Sequence, residues 1–160
     1  MNPSADSYEA LFEAACRIGV PPRELRQLFR SMVLNVLRGN VDDHNKNFSF
    51  LMDDDGHWHV APTYDYTFSV DPDAPYYVNR HSMTIHNQTE GITAEDLLEV
   101  ARRYGIKAAE PFIEKAIGIV SHYPEYGREA GVGEEWIGTI EKEIAARIEC
   151  VSDNRAARLK

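Results

Sequence analysis

The stretch Asn40–Ser69, NVDDHNKNFSFLMDDDGHWHVAPTYDYTFS, decides how the chain is read. It starts where a long amphipathic pattern stops, and it holds six carboxylates, three histidines and two turn signals. Phe48 to Met52 is short, apolar and aromatic. Asp53-Asp54-Asp55-Gly56 is a strong turn, and His57-Trp58-His59-Val60 alternates before Ala61-Pro62. Together these predict a β-hairpin. Folded about Asp54 and Asp55, it sets Asn47 opposite about Pro62. Asp65, three residues further on, can then curl back towards Asn47.

Upstream of this stretch the apolar residues recur at helical spacing. Tyr8, Leu11, Phe12, Ala15 and Ile18 predict a helix over 7–18, with Ser7 or Asp6 as cap and Gly19 as its end. Pro21-Pro22 resets the backbone, and Pro22 suits the first turn of a second helix. Leu25, Leu28, Phe29, Met32, Val33, Val36 and Leu37 give that helix a broad buried stripe, which Gly39-Asn40 stops. Asp42 therefore follows directly on the end of a buried helix, on a loop held by rigid structure.

Downstream, Asp71-Pro72-Asp73-Ala74-Pro75 is loop, and Tyr76 to His86 holds at most a short extended piece. Thr93-Ala94-Glu95-Asp96 reads as a capping box opening a helix with Leu97, Leu98, Ala101 and Tyr104 inward and Gly105 at its end. A further helix starts near Ala108, with Pro111 in its first turn and Phe112, Ile113, Ala116, Ile117 and Val120 packing inward. A Tyr- and Gly-containing connection leads to a last long helix marked by Trp136, Ile140, Ile144, Ile148 and Val151. The expectation is one mainly α domain with a small β-hairpin over residues 1–151, and a frayed basic tail over 152–160.

Composition narrows the function. A chain of 160 residues with 43% hydrophobic and 27% charged residues supports one globular core. The net charge of −9 argues against a nucleic-acid backbone as the main partner. Cys16 and Cys150 stand far apart without metal-ligand spacing, and no stretch reads as a secretory signal or a membrane span. A reduced, cytoplasmic setting is expected.

Asp42 and Asn47 stand five residues apart, the D-x-x-x-x-N spacing of a protein-kinase catalytic loop. Phosphoryl transfer asks little covalent chemistry of a protein. It needs a carboxylate to orient and deprotonate the acceptor hydroxyl, and hard oxygen ligands to hold Mg²⁺ on the phosphates. Asp42 suits the first role; Asn47 and Asp65 suit the second. His44 and Lys46, in the same loop, are candidates to contact a substrate hydroxyl or a phosphate. The spacing alone is equally that of a polar turn between helix and hairpin.

Other chemistries are less complete. His57 and His59 share a strand face but lack a third ligand for a metal. Asp43-His44 with Asn47 resembles the start of an HNH-type nuclease site, yet no later histidine and helix complete it. The run Asp53-Asp54-Asp55 lacks the spacing and closing Glu of a Ca²⁺ loop.

The longer string is more specific. Asp42-Asp43-His44-Asn45-Lys46-Asn47-Phe48-Ser49, after Asn35-Val36-Leu37-Arg38-Gly39-Asn40, resembles the catalytic loop of the HipA family, the serine/threonine kinases of bacterial toxin–antitoxin modules. The likeness continues through Leu51 and Ala61-Pro62-Thr63-Tyr64-Asp65, and more loosely through Ser82-Met83-Thr84-Ile85 and residues 92–98. The resemblance implies a protein-kinase-like C-lobe with Asp42 as base, Asn47 and Asp65 as Mg²⁺ ligands and ATP as phosphoryl donor. It implies a HipB-like helix-turn-helix antitoxin or a separate N-lobe chain as partner, a protein as substrate, and only indirect contact with DNA. Asn40-Val41-Asp42 replaces the usual kinase H-R-D, and Asp65-Tyr66-Thr67 replaces D-F-G, changes this family shares. The 160 residues hold no strand-borne nucleotide lysine, and their one G-x-G, Gly131-Val132-Gly133, follows no strand. The chain thus reads as the C-terminal part of a HipA-like protein that binds Mg²⁺–ATP weakly and transfers little alone. The alternative is a non-catalytic kinase-like module that engages a partner.

Overall fold

The pillar of the fold is the helix α2, Pro22–Arg38, seen in a computed structural model that describes residues 6–153. Its Leu25, Leu28, Phe29, Met32, Val33, Val36 and Leu37 are all 4% exposed or less. Beyond an exposed edge at Arg23, Arg26 and Arg30, neighbours cover this helix. They are α1 (Tyr8–Arg17), α4 (Ala109–Val120), α6 (Glu134–Ser152) and the second hairpin strand. Each fully buried large side chain contributes about 1.5–3 kcal/mol of transfer free energy.

The helix ends as its sequence dictates. Gly39 takes the left-handed conformation at φ 69°, and the Asn40 N–H reaches back to the Asn35 carbonyl at 3.0 Å, a Schellman closure. A Cβ at Gly39 would stand 3.1 Å from Val70 Cγ2 and 3.2 Å from both Phe68 and Arg147. Glycine is thus required twice, for its φ and for the chain that crosses over it.

α1 is capped by Ser7, whose hydroxyl accepts the Ala10 N–H at 3.0 Å, and buries Tyr8, Phe12 and Ala15. The hairpin pairs β1 (Phe50–Met52) with β2 (Trp58–Val60), antiparallel, with Phe50 opposite Val60 and Met52 opposite Trp58. The Asp53 N–H bonds the His57 carbonyl at 2.9 Å, so the loop is Asp54-Asp55-Gly56, with Gly56 at φ 83°. That three-residue loop with a left-handed glycine centres the hairpin on Asp55. Register therefore sets position 47 against Thr63, one residue beyond the Pro62 expected from a turn centred between Asp54 and Asp55.

The segment between hairpin and α3 is irregular, with one 3₁₀ turn at Tyr76–Val78. Its extended piece is small: Thr84 bridges Ser7 in parallel, and Ile85 and Gln88 exchange both backbone bonds across His86 and Asn87 at positive φ. α3 (Ala94–Arg103) opens on the expected capping box, with Thr93 Oγ1 and the Asp96 carboxylate bonded reciprocally. Its most buried residues are Leu97, Val100 and Ala101, while Leu98 and Tyr104 are half-buried.

Two expectations need correction. The Tyr- and Gly-containing connection is a helix, α5 (Tyr123–Glu129). Pro124 falls in its first turn, where a missing N–H is harmless. Gly127 serves close packing instead of a break: a Cβ there would meet Ile137 of α6 at 3.2 Å. The buried stripe of α6 runs through Ile137 (1% exposed), Ile144 and Val151, while Trp136 is 58% exposed. Docking of α5 selects the face that Ile137 occupies. α6 continues through Ser152, and the basic tail expected beyond it falls, from residue 154 on, outside the described residues.

Candidate functional site

The loop that leaves α2 is strapped from below by the chain that returns after the hairpin. The Asn40 side-chain amide donates to Asn35 Oδ1 at 3.0 Å and to the Asp65 carbonyl at 3.2 Å. Ser69 donates its N–H to the Gly39 carbonyl at 3.0 Å, and its hydroxyl accepts the N–H groups of Val41 and Asp42 at 2.8 and 3.0 Å. Residues 65–69 and 39–42 thus lie side by side, a contact no β-ladder provides.

A second strap works from the other end. The Tyr64 hydroxyl donates to the Lys46 carbonyl at 2.9 Å and pairs with Ser49 Oγ at 2.6 Å. Asp65 is therefore held between Asn40 on one side and, through Tyr64, the 3₁₀ turn Asn45–Asn47 on the other. Its backbone sits at φ 55°. That is a left-handed conformation, which Asp tolerates better than most residues.

Within this frame the Asp42 carboxylate faces outward, its side chain 66% exposed, with His44 Nε2 3.8 Å away. Asn47 donates Nδ2 to the Asp42 carbonyl at 3.0 Å, which fixes its amide and leaves Oδ1 uncommitted among the described residues. Asp65 is exposed, as is Lys46. The set offers two carboxylates and one amide oxygen, hard donors of the kind Mg²⁺ takes. By contrast, Asp43 turns the opposite way. It is 0% exposed and accepts the Tyr8 hydroxyl at 2.8 Å, His81 Nδ1 at 2.8 Å and the Ser82 N–H at 2.9 Å. Burial first, and the Asp43 charge second, push the Tyr8 hydroxyl well above its usual range, so it remains a donor. Asn35 donates to that same hydroxyl at 2.8 Å, which joins the Asp43 network to Asn40.

Sequence reading singled out Asp42, Asn47, Asp65, His44 and Lys46, and it missed what holds them. Ser69, Tyr8 and His81 carry no motif, since each acts through a partner far away along the chain, as Asn35 does through Tyr8. The tie of Asp43 to His81 spans 38 residues. The hairpin histidines do not act as a pair: His57 brings a ligand atom within 4.8 Å of Asp53 and Asp55, all exposed, in a group that does not include His59. His59 is committed elsewhere, to Glu24 and Asp53 at 3.0 Å each.

The family of HipA-like C-terminal domains matches residues 2–127, and the chain belongs to that family. Among solved structures it is similar to the toxin–antitoxin system of Shewanella oneidensis MR-1, HipA and HipB in complex with operator DNA. The TM-score is 0.67 and the identity 21%, over 91% of this chain and 35% of that one. At that identity the likeness carries the fold, and the chain spans about a third of that protein's length. No curated protein sequence matches. Among the described residues no helix is long and apolar enough to cross a membrane.

Proposed function

We propose that this chain is the catalytic lobe of a HipA-like serine/threonine protein kinase, transferring the γ-phosphate of ATP to a protein hydroxyl in the cytoplasm. The observation that supports it most is the double strap on Asp65, which ties the metal-ligand candidate to the loop bearing Asp42 and Asn47. Asp42, exposed and anchored through its backbone N–H, accepts the proton of the acceptor hydroxyl on its carboxylate. Asn47 Oδ1 and the Asp65 carboxylate would hold Mg²⁺, which when bound neutralises charge on the phosphates. His44 lies beside the Asp42 carboxylate and would orient the acceptor, and Lys46 would face the phosphates.

Residues outside these 160, on the same or a separate chain, would supply the N-lobe that covers the nucleotide. The Shewanella complex contains HipB and operator DNA, which supports a HipB-like antitoxin as partner; in the proposal DNA is reached only through that antitoxin. The test is phosphate transfer from labelled ATP to a generic basic protein, with the chain reconstituted with a HipA N-lobe. Transfer that Asp42→Asn abolishes supports the reading. Transfer that survives Asp42→Asn overturns it. Antitoxin binding with no transfer under any condition means that the lobe is a binding module.

A further inference from the structure

Behind the catalytic loop lies a cavity of about 190 Å³ between α2, the 79–92 segment and α6. Against about 30 Å³ per water, it has room for several waters or one tetrahedral oxyanion. Its walls include Asn79, His81, Thr89, Glu143 and Arg147. Two of its side chains carry buried nitrogens that nothing among the described residues satisfies, His81 Nε2 and Arg147 Nε.

His81 is 4% exposed. Asp43 holds its Nδ1 at 2.8 Å, which fixes the ring and points Nε2 away from that carboxylate. With Nδ1 committed to Asp43, Nε2 is the ring nitrogen left for a ligand, a hydrogen-bonding partner for a phosphate oxygen or P–OH group. Arg147 is half-buried on α6, and Glu143 and Asp43 act on it only through space. Burial pulls its pKa below the usual guanidinium range, the mark of a cation short of counter-charge. Glu90, another carboxylate of the wall, is already held by both Arg80 nitrogens. A half-buried guanidinium with its Nε buried and unsatisfied among the described residues carries a desolvation cost, and a ligand with negative oxygens would offset it.

We propose that this cavity binds a small oxyanion of the phosphate or phosphomonoester class, with Arg147 as its charge partner and His81 Nε2 as a second hydrogen-bonding partner. The net charge of −9 repels anions on average, so saturable binding here would be specific. The proposal does not depend on the kinase reading. The bound anion touches His81 and, through it, Asp43, the neighbour of Asp42 in the chain.

The full chain, ¹⁵N-labelled, is titrated with inorganic phosphate, with phosphoserine, and with sodium chloride at matched ionic strength. The expected result is saturable movement of the His81, Ser82 and Arg147 amides with phosphate or phosphoserine and none with chloride. The tighter of the two tells a free anion from a phosphorylated side chain. Arg147→Met weakens binding at least tenfold, Arg147→Lys weakens it less, and Glu143→Gln tightens it several-fold. Shifts that never saturate, or that chloride reproduces, overturn the proposal. So does unchanged affinity in both Arg147 variants. Should Arg147→Met fail to fold, Arg147→Lys and Glu143→Gln decide by the same readout, and unchanged affinity in both counts against the site.

Discussion

The side-chain amide of Asn40 reaches across 25 residues of chain to the carbonyl oxygen of Asp65, 3.2 Å away. The same amide also bonds Asn35 Oδ1, so one buried residue joins the end of α2 to the segment that returns from the hairpin. Asn40→Ala leaves both acceptors without that donor. A loss of about 1–3 kcal/mol is expected in urea unfolding. If Asn47 and Asp65 hold the metal as proposed, Mn²⁺ in place of Mg²⁺ is expected to broaden both amides in the native chain, and the variant is expected to lose that paired broadening if Asn40 positions Asp65. Undiminished broadening of both amides in the variant would remove the positioning role.

Asp42 and Asp43 are adjacent, yet opposite effects are expected from the same change. The Asp42 side chain is 66% exposed. Asp42→Asn is therefore expected to shift stability by about 0.5 kcal/mol or less and, on the proposed function, to remove phosphoryl transfer by the chain reconstituted with an N-lobe. Asp43 accepts three hydrogen bonds at 0% exposure, and an amide there turns a donor towards Tyr8 or His81. Asp43→Asn is expected to destabilise by about 3–5 kcal/mol. Equal stability of the two variants by chemical denaturation would contradict this division.

Gly39→Ala combines a positive φ with contacts of 3.1 Å to Val70 and 3.2 Å to Phe68 and Arg147. A destabilisation above about 1 kcal/mol follows from the backbone alone, with crowding in addition. Gly19, also at positive φ but in open space, is the control: Gly19→Ala carries only the backbone part. If the two variants have equal melting temperatures, the crossing chain does not require the close approach.

The hairpin is docked on α2 by a charge relay, with His59 between Glu24 and Asp53 at 3.0 Å on each ring nitrogen. Two carboxylate partners call for both N–H groups, hence the imidazolium. The hydrogen bond to Glu24 first, and that to Asp53 second, raise the His59 pKa above 6.5. Its contribution is complete below the unfolded value and is lost as pH rises through the raised folded value. The His59 bond, ahead of the Val60 N–H, lowers Glu24 below 4.5, and the His57 N–H, ahead of His59, takes Asp53 to about 2. Those contributions are complete above the unfolded values and are lost as pH falls through the lowered ones. Amide protection of Val60, whose N–H bonds Glu24 Oε2 at 3.0 Å, should therefore be greatest between pH 4.5 and 6.5, and His59→Gln should flatten the alkaline limb. A flat profile in the native chain would show that the relay does not hold the hairpin.

Much of this was legible in one dimension because it is local. Ser7, Thr93 with Asp96, and Gly39 mark helix ends through bonds to neighbours three or four residues away, Pro22 marks one by its fixed φ, and the apolar spacing of α2 announces a buried helix. Asp42 and Asn47 could be named together because they share one short loop, and Asp65 because the hairpin returns the chain to it. The hairpin register slipped by one, since whether the turn holds two or three residues depends on where Gly56 takes its positive φ. The Tyr- and Gly-containing stretch before α6 reads as a connection because composition does not reveal that Gly127 faces Ile137.

What the sequence by itself determined is the helical scaffold, the hairpin and the identity of the outward-facing loop residues. Only the tertiary structure decided which of two neighbouring aspartates is buried, that Ser69 and Asn40 strap the loop, and that His81 and Arg147 meet at one cavity. The physical reason is range. Helix periodicity and caps are set by bonds within a turn or two, whereas a buried polar group must find its partner wherever packing brings one. Nothing in the residues around Asp43 names His81.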